Sequence, residues 1–169
     1  MSALPAGAPD TIASQDDAHG RIRLVLGAVT TALLEEQPAL LSFEDHRPQR
    51  DRPSGDAWNG LETMCHVSAL LATPYAPELH RGGSDRLRDA ADSAARAHGL
   101  GRRGDQDDRG IRSLTWYDAQ GLRLDVILGV RVAVRAISQP FLPGSLNPPA
   151  STSPVSPISP LTPPPRLLR

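Results

Sequence analysis

The sequence contains no lysine and a single cysteine, Cys65, in 169 residues, with two each of Trp, Tyr and Phe. One cysteine excludes an intrachain disulfide and any Cys-rich zinc site. Without lysine there is no Gly-Lys-Ser/Thr phosphate loop. The 18 cations are all arginine and face 19 acids, for a net charge of −1. That balance supplies no basic field for nucleic acid or an anionic membrane, and only Trp116 and Tyr117 are placed to stack bases. Long apolar runs are missing too. The best, Ile22 to Leu34, falls short of the roughly 20 residues a membrane helix needs. It also lacks the small-x-small cleavage site of a secretory signal. The missing lysine is read as GC-rich coding bias, and it leaves every positive charge on an arginine that stays protonated at physiological pH.

What the chain has in excess is proline. Ten of its 17 prolines lie between Pro140 and Pro165, where fixed φ and missing amide donors bar both helix and sheet. The expected organisation is a disordered N-terminus over 1–14, an α+β domain over 15–143 and a disordered Pro/Ser/Thr-rich tail over 144–169.

Ser14, with Asp17 three residues on, resembles a helix cap. Ile22, Val25, Leu26, Val29 and Leu33 then mark one helical face, which Pro38 stops. Residues 43–60 are polar and turn-rich and read as a surface loop. Cys65 to Thr73 reads as a strand, with a helical turn as competitor. Ser84 is expected to cap a second helix over Asp85 to His98, and Gly99 to stop it. Residues 99–110 read as a charged glycine loop. From Ile111 the period becomes two: a strand to Tyr117, a turn at 118–121, and an alternating run from Leu122 to Arg135 that Gly129 divides. The economical architecture is α+β: a small antiparallel sheet of about three to four strands with two helices on one face, plus disordered termini.

The order of these elements, the hairpin Trp116-Tyr117-Asp118-Ala119-Gln120-Gly121-Leu122 and the lone cysteine before a strand resemble small actinobacterial cell-envelope and lipoprotein-like proteins of uncharacterised function. The likeness covers roughly residues 16 to 143. It implies a second cysteine near the last strand, paired with the first, but 137–142 holds none. The lipidated cysteine and signal sequence are absent as well. For such a family no known activity is implied.

Candidate chemistry is sparse. Cys65 and His66 are adjacent, and strand neighbours point to opposite faces, so a thiol–imidazole dyad fits poorly. Cys65 is read as a free thiol. The five histidines (His19, His46, His66, His80, His98) share no metal-ligand spacing; His46, His66, His80 and nearby carboxylates would have to be assembled by the fold. Asp105, Asp107 and Asp108 follow a glycine-arginine stretch, but interleaved arginines oppose a calcium loop. No catalytic set, metal site or cofactor is expected. Arg123, Arg131 and Arg135 fall on the polar face of the terminal strands, with Arg112 nearby, and a row of guanidiniums suits a carboxylate or acidic partner. Trp58, in the polar stretch, is a further contact candidate. The expected function is therefore a non-catalytic module for protein or envelope interaction, engaging a protein partner through the sheet face or the Pro-rich tail. The alternative is a small ligand-binding domain or enzyme using the Cys65/His66 region and the arginine face. Nucleic acid and a transmembrane segment are not expected. As it stands the sequence reads as cytoplasmic, or as cell-envelope if the true start lies upstream.

Overall fold

The structure is a computed structural model and describes residues 11–144. Its first helix, α1 (Gln15–Glu36), begins as the sequence implies: the Ser14 side chain accepts a hydrogen bond from the Asp17 amide at 3.1 Å, and Asp16 and Asp17 lie in the first turn. Ala18, Ile22, Val25, Val29 and Leu33 recur at helical spacing and are buried. Pro38 cannot continue the helix and opens a short 3-10 turn, Pro38–Leu40.

The chain then forms two consecutive strand pieces, β1 (Glu44–Arg47) and β2 (Arg50–Trp58), and returns as β3 (Leu61–Val67) and β4 (Leu70–Ala72). β1 pairs with β4 and β2 with β3, both antiparallel. The reversal is at Asn59 and Gly60, whose φ values of 48° and 80° suit a primed two-residue turn. Helix α2 (Gly83–Ala97) follows, then a four-strand antiparallel meander: β5 (Gly101–Asp108), β6 (Ile111–Tyr117), β7 (Arg123–Leu128) and β8 (Val132–Ile137).

The two units join at β8, which pairs on its free side with β4 and, at Val67 and Ile137, with β3. The result is one eight-stranded antiparallel sheet. Beyond β8 the chain continues along β3, where Met64 and Phe141 exchange backbone hydrogen bonds at 2.9 and 2.8 Å. Phe141 also bridges Ala13, and the Gly144 amide donates to Gln15.

The expected small sheet is thus overturned, although the class remains α+β. Three of the missing strands lie in the two stretches read as loops, β1 and β2 in 43–60 and β5 in 99–110. The single strand expected over Cys65 to Thr73 is in fact the end of β3 and the separate β4. β2 and β5 are exposed along nearly their whole length, so neither shows the apolar alternation that a strand with one buried face must show. α2 also starts earlier than expected, at Gly83, with left-handed Gly82 rather than Ser84 at its cap.

The core lies between the helices and one face of the sheet. Leu87, Ala91 and Ala95 of α2 and the buried stripe of α1 meet Leu114, Trp116, Leu124, Val126, Leu128, Val132, Val134 and Ala136. Each large aliphatic side chain so buried contributes about 1.5–3 kcal/mol. The alanines of α2 let its backbone come close to what it covers. At Gly83 the start of the helix is pressed against the loop before it, where an added Cβ would collide with the Glu78 carbonyl. That loop is fixed by Gln37 at the end of α1, whose side-chain amide donates to the Glu78 carbonyl at 2.8 Å and accepts from its amide at 2.9 Å.

Candidate functional site

The sheet face away from the helices carries the chemistry of β6, β7 and β8. Successive residues alternate sides, so Leu124 and Val126 enter the core while Arg123 and Asp125 turn outward. Asp125 is nearly buried and sits between two arginines: Arg123 Nε donates to Oδ1 at 2.8 Å and Arg135 Nη2 to Oδ2 at 3.2 Å. Thr115 Oγ1 also donates to Oδ1, at 3.1 Å. Three donors offset the desolvation of that carboxylate. Its hydrogen bond to Arg123 raises the guanidinium above the ordinary arginine range, and the Arg123 head lies 5.9 Å from the Tyr117 ring centre.

Thr115, Arg123, Asp125 and Arg135 line a depression of about 240 Å³, with Leu70, Ile127 and Ala133 as its apolar wall. Two guanidiniums against one carboxylate leave a net positive charge there. Arg135 Nε is buried with no hydrogen-bond partner among the described residues. An orphaned charged donor is costly, and it calls for an acceptor.

The other candidate residues are dispersed. Arg131 is exposed between β7 and β8 and lies outside the depression. Arg112 points to the helix side, where it binds Asp105 through two nitrogens at 2.7 and 2.8 Å and Asp85 at 2.8 Å. Trp58 is half-buried at the end of β2, opposite Leu61. Cys65 is buried with a free thiol. His46 lies on exposed β1 and His80 before α2, so neither joins His66 in a cluster. The Pro-rich tail lies outside the described residues, apart from Gly144 at its start.

His66 has other neighbours. Its Nδ1 lies 2.6 Å from Asp51 Oδ1, and His19 Nε2 lies 3.2 Å from the same oxygen. The two imidazole rings are in contact, their centres 3.9 Å apart and their planes tilted by 38°. Phe141 stands edge-on to His19 at 5.8 Å. Gln15 holds the outer carboxylate oxygen, its Nε2 donating to Asp51 Oδ2 at 3.3 Å. His66 is buried, while His19 and Asp51 are about a third exposed.

Asp51 and His66 share a face because they are direct partners across β2 and β3. That register depends on a bulge between Pro53 and Ala57, stitched by Thr63: its hydroxyl bonds Ser54 Oγ at 2.6 Å and donates to the Asp56 carbonyl at 3.0 Å. Linear spacing could not reveal this set, because His19 comes from a helix and the other two from paired strands.

Neither a protein-family profile nor a curated protein matches the chain. Among solved structures it is similar to a DUF4853 family protein from Actinomyces odontolyticus ATCC 17982, at 13% identity and a TM-score of 0.59, over 82% of this chain and 74% of that one. At this identity the likeness shows the fold alone. The expected resemblance to actinobacterial proteins stands as this distant structural neighbour, with no sequence family behind its lipoprotein-like part. No helix among the described residues is long and apolar enough to cross a membrane.

Proposed function

We propose that the chain is a non-catalytic binding domain that holds a carboxylate-bearing segment of a protein partner against the helix-free face of its sheet. The observation that supports this most directly is Arg135: its Nε is buried and unpartnered in a depression that already carries excess positive charge. A carboxylate offers the missing acceptor in the planar geometry that guanidinium favours. Leu70, Ile127 and Ala133 beside it suit an apolar side chain next to the acid. The Arg123 and Arg135 side chains are both partly exposed, so an incoming acid can meet them with the Asp125 pairs kept.

The test is an amide-shift NMR titration with a short peptide of alternating glutamate and leucine. Shifts are expected on the outward positions of β6–β8, with at least about tenfold weaker binding in Arg135→Ala, as losing a hydrogen bond to a charged group implies. Arg131→Ala should bind as the parent does. Shifts elsewhere, or an Arg135→Ala titration that overlays the parent, would overturn the reading.

A further inference from the structure

We infer that His19, Asp51 and His66 form a binding site for a divalent transition-metal ion of the zinc class. The three ligand atoms come from α1, β2 and β3 and all lie within 4.8 Å of one another. A tetrahedral zinc ion with bonds near 2.0–2.1 Å needs its ligand atoms about 3.3 Å apart. The His19–Asp51 pair, at 3.2 Å, already has that spacing, and the His66–Asp51 pair, at 2.6 Å, has to open by a fraction of an ångström.

The donor set selects the ion. Two imidazole nitrogens and one carboxylate oxygen suit zinc and its first-row neighbours. Calcium asks for six to eight oxygens and magnesium for an octahedral, largely hydrated shell, neither of which this cluster supplies.

The surroundings have the features of a ligating site. Gln15 occupies Asp51 Oδ2, so Oδ1 is turned toward both imidazoles, and an outer-shell donor of this kind fixes a ligand's orientation. The Gln15 side chain is itself held by the Gly144 amide at 3.1 Å. His66 is buried and Phe141 walls one side, whereas the exposed edges of His19 and Asp51 leave a direction open to solvent. Three protein ligands with one open position would leave the metal able to carry water or a fourth ligand. The site shares no residue with the arginine face and stands or falls independently of it.

The experiment titrates the metal-free full-length chain with zinc chloride, by calorimetry and by competition with a chromophoric chelator. One equivalent is expected to bind and to raise the melting temperature. His19→Ala and Asp51→Asn should each weaken binding at least about tenfold, since ligands cannot matter less than the 10–100-fold of their outer-shell partners. Far-UV circular dichroism checks that both variants fold, and Asp51→Asn, isosteric and on an exposed strand position, is the safer of the two. Cys65→Ser and Arg135→Ala should bind as the parent does. With cobalt the parent should give visible d–d absorption without a thiolate charge-transfer band. Absence of saturable binding, undiminished affinity in folded His19→Ala, or loss of binding in Cys65→Ser would each overturn the assignment.

Discussion

Trp116 is the largest fully buried side chain, and its one polar atom decides how it can sit. The indole Nε1 donates to Asp92 Oδ1 on α2 at 2.9 Å, so the ring fixes the helix over the sheet by direction as well as by area. Asp92 also pairs with Arg96 one turn on, at 2.9 Å. Asp92→Ala leaves a buried N–H without an acceptor and should cost about 1–3 kcal/mol. Asp92→Asn keeps an acceptor and should recover most of it, by urea denaturation of both variants. The partner of this tryptophan was not legible in sequence, because the link spans two elements whose docking no local spacing encodes. His19 and Asp51 escaped notice for the same reason. They become neighbours of His66 only once the bulge at Ser54–Asp56 has moved β2 along β3: four steps on β2, Pro53 to Ala57, oppose two on β3, Met64 to Glu62.

Among the elements, the clearest ion network ties α2, β5 and β6 together. Arg112 holds Asp105 in a two-point fork and reaches Asp85 and Ser84 with its remaining nitrogen. Its hydrogen bonds keep both carboxyls below the ordinary value of 3.8, and Arg88 adds to the effect on Asp85. A carboxyl lowered by folding binds fewer protons in the native state, so its contribution is complete above the ordinary value and fades as pH falls through the lowered one. Arg112→Met should therefore be less stable at neutral pH, modestly so because solvent screens these exposed pairs. The gap to the parent should begin to narrow as pH falls past about 3.8 and close only below the lowered values, as followed by melting temperature against pH. A gap unchanged down to pH 2 would remove the network from the account.

Which elements the sequence discloses follows from how each is wetted. α1 has one dry stripe and a capping serine, and β6 to β8 have one dry face, so period and burial agree there. β2 and β5 are wet on both sides, and their composition is then indistinguishable from that of a loop. One partial signal was nonetheless available: Asn59-Gly60 is a favoured two-residue hairpin dipeptide, although β2 lacks the apolar alternation that normally accompanies it.

At the scale of the molecule, those same polar strands border the sheet. β5 forms one edge, and β1 with β2 the other. A net charge of −1 gives little mutual repulsion between copies, so protection against edge-to-edge pairing rests on the borders themselves. The arginines and aspartates of β5, and on β2 Pro53 and the bulge beyond it, are the devices that blunt an open edge. Replacing Gln106 and Asp108 with valine makes β5 apolar on its outward face without touching Arg112 or its partners. Light scattering should then detect association that rises with protein concentration, at a melting temperature close to the parent's. A variant that scatters like the parent would show that the edge charges are dispensable.

The joint at β8 also sets an order in time. Every strand of the meander pairs with its neighbour in sequence, and that half can assemble as it is made. The β1–β4 unit leaves the ribosome earlier but has only itself to pair with until β8, the last of the eight strands, arrives. During that interval Val67 and Ala72 have no sheet to be buried against, and α1, which can already pack on α2, lacks the strand of the sheet that it covers. The first half of the sheet is born waiting for the second, and a synthesis that stalls before Val132 leaves the β1–β4 unit with no strand to join it to the meander.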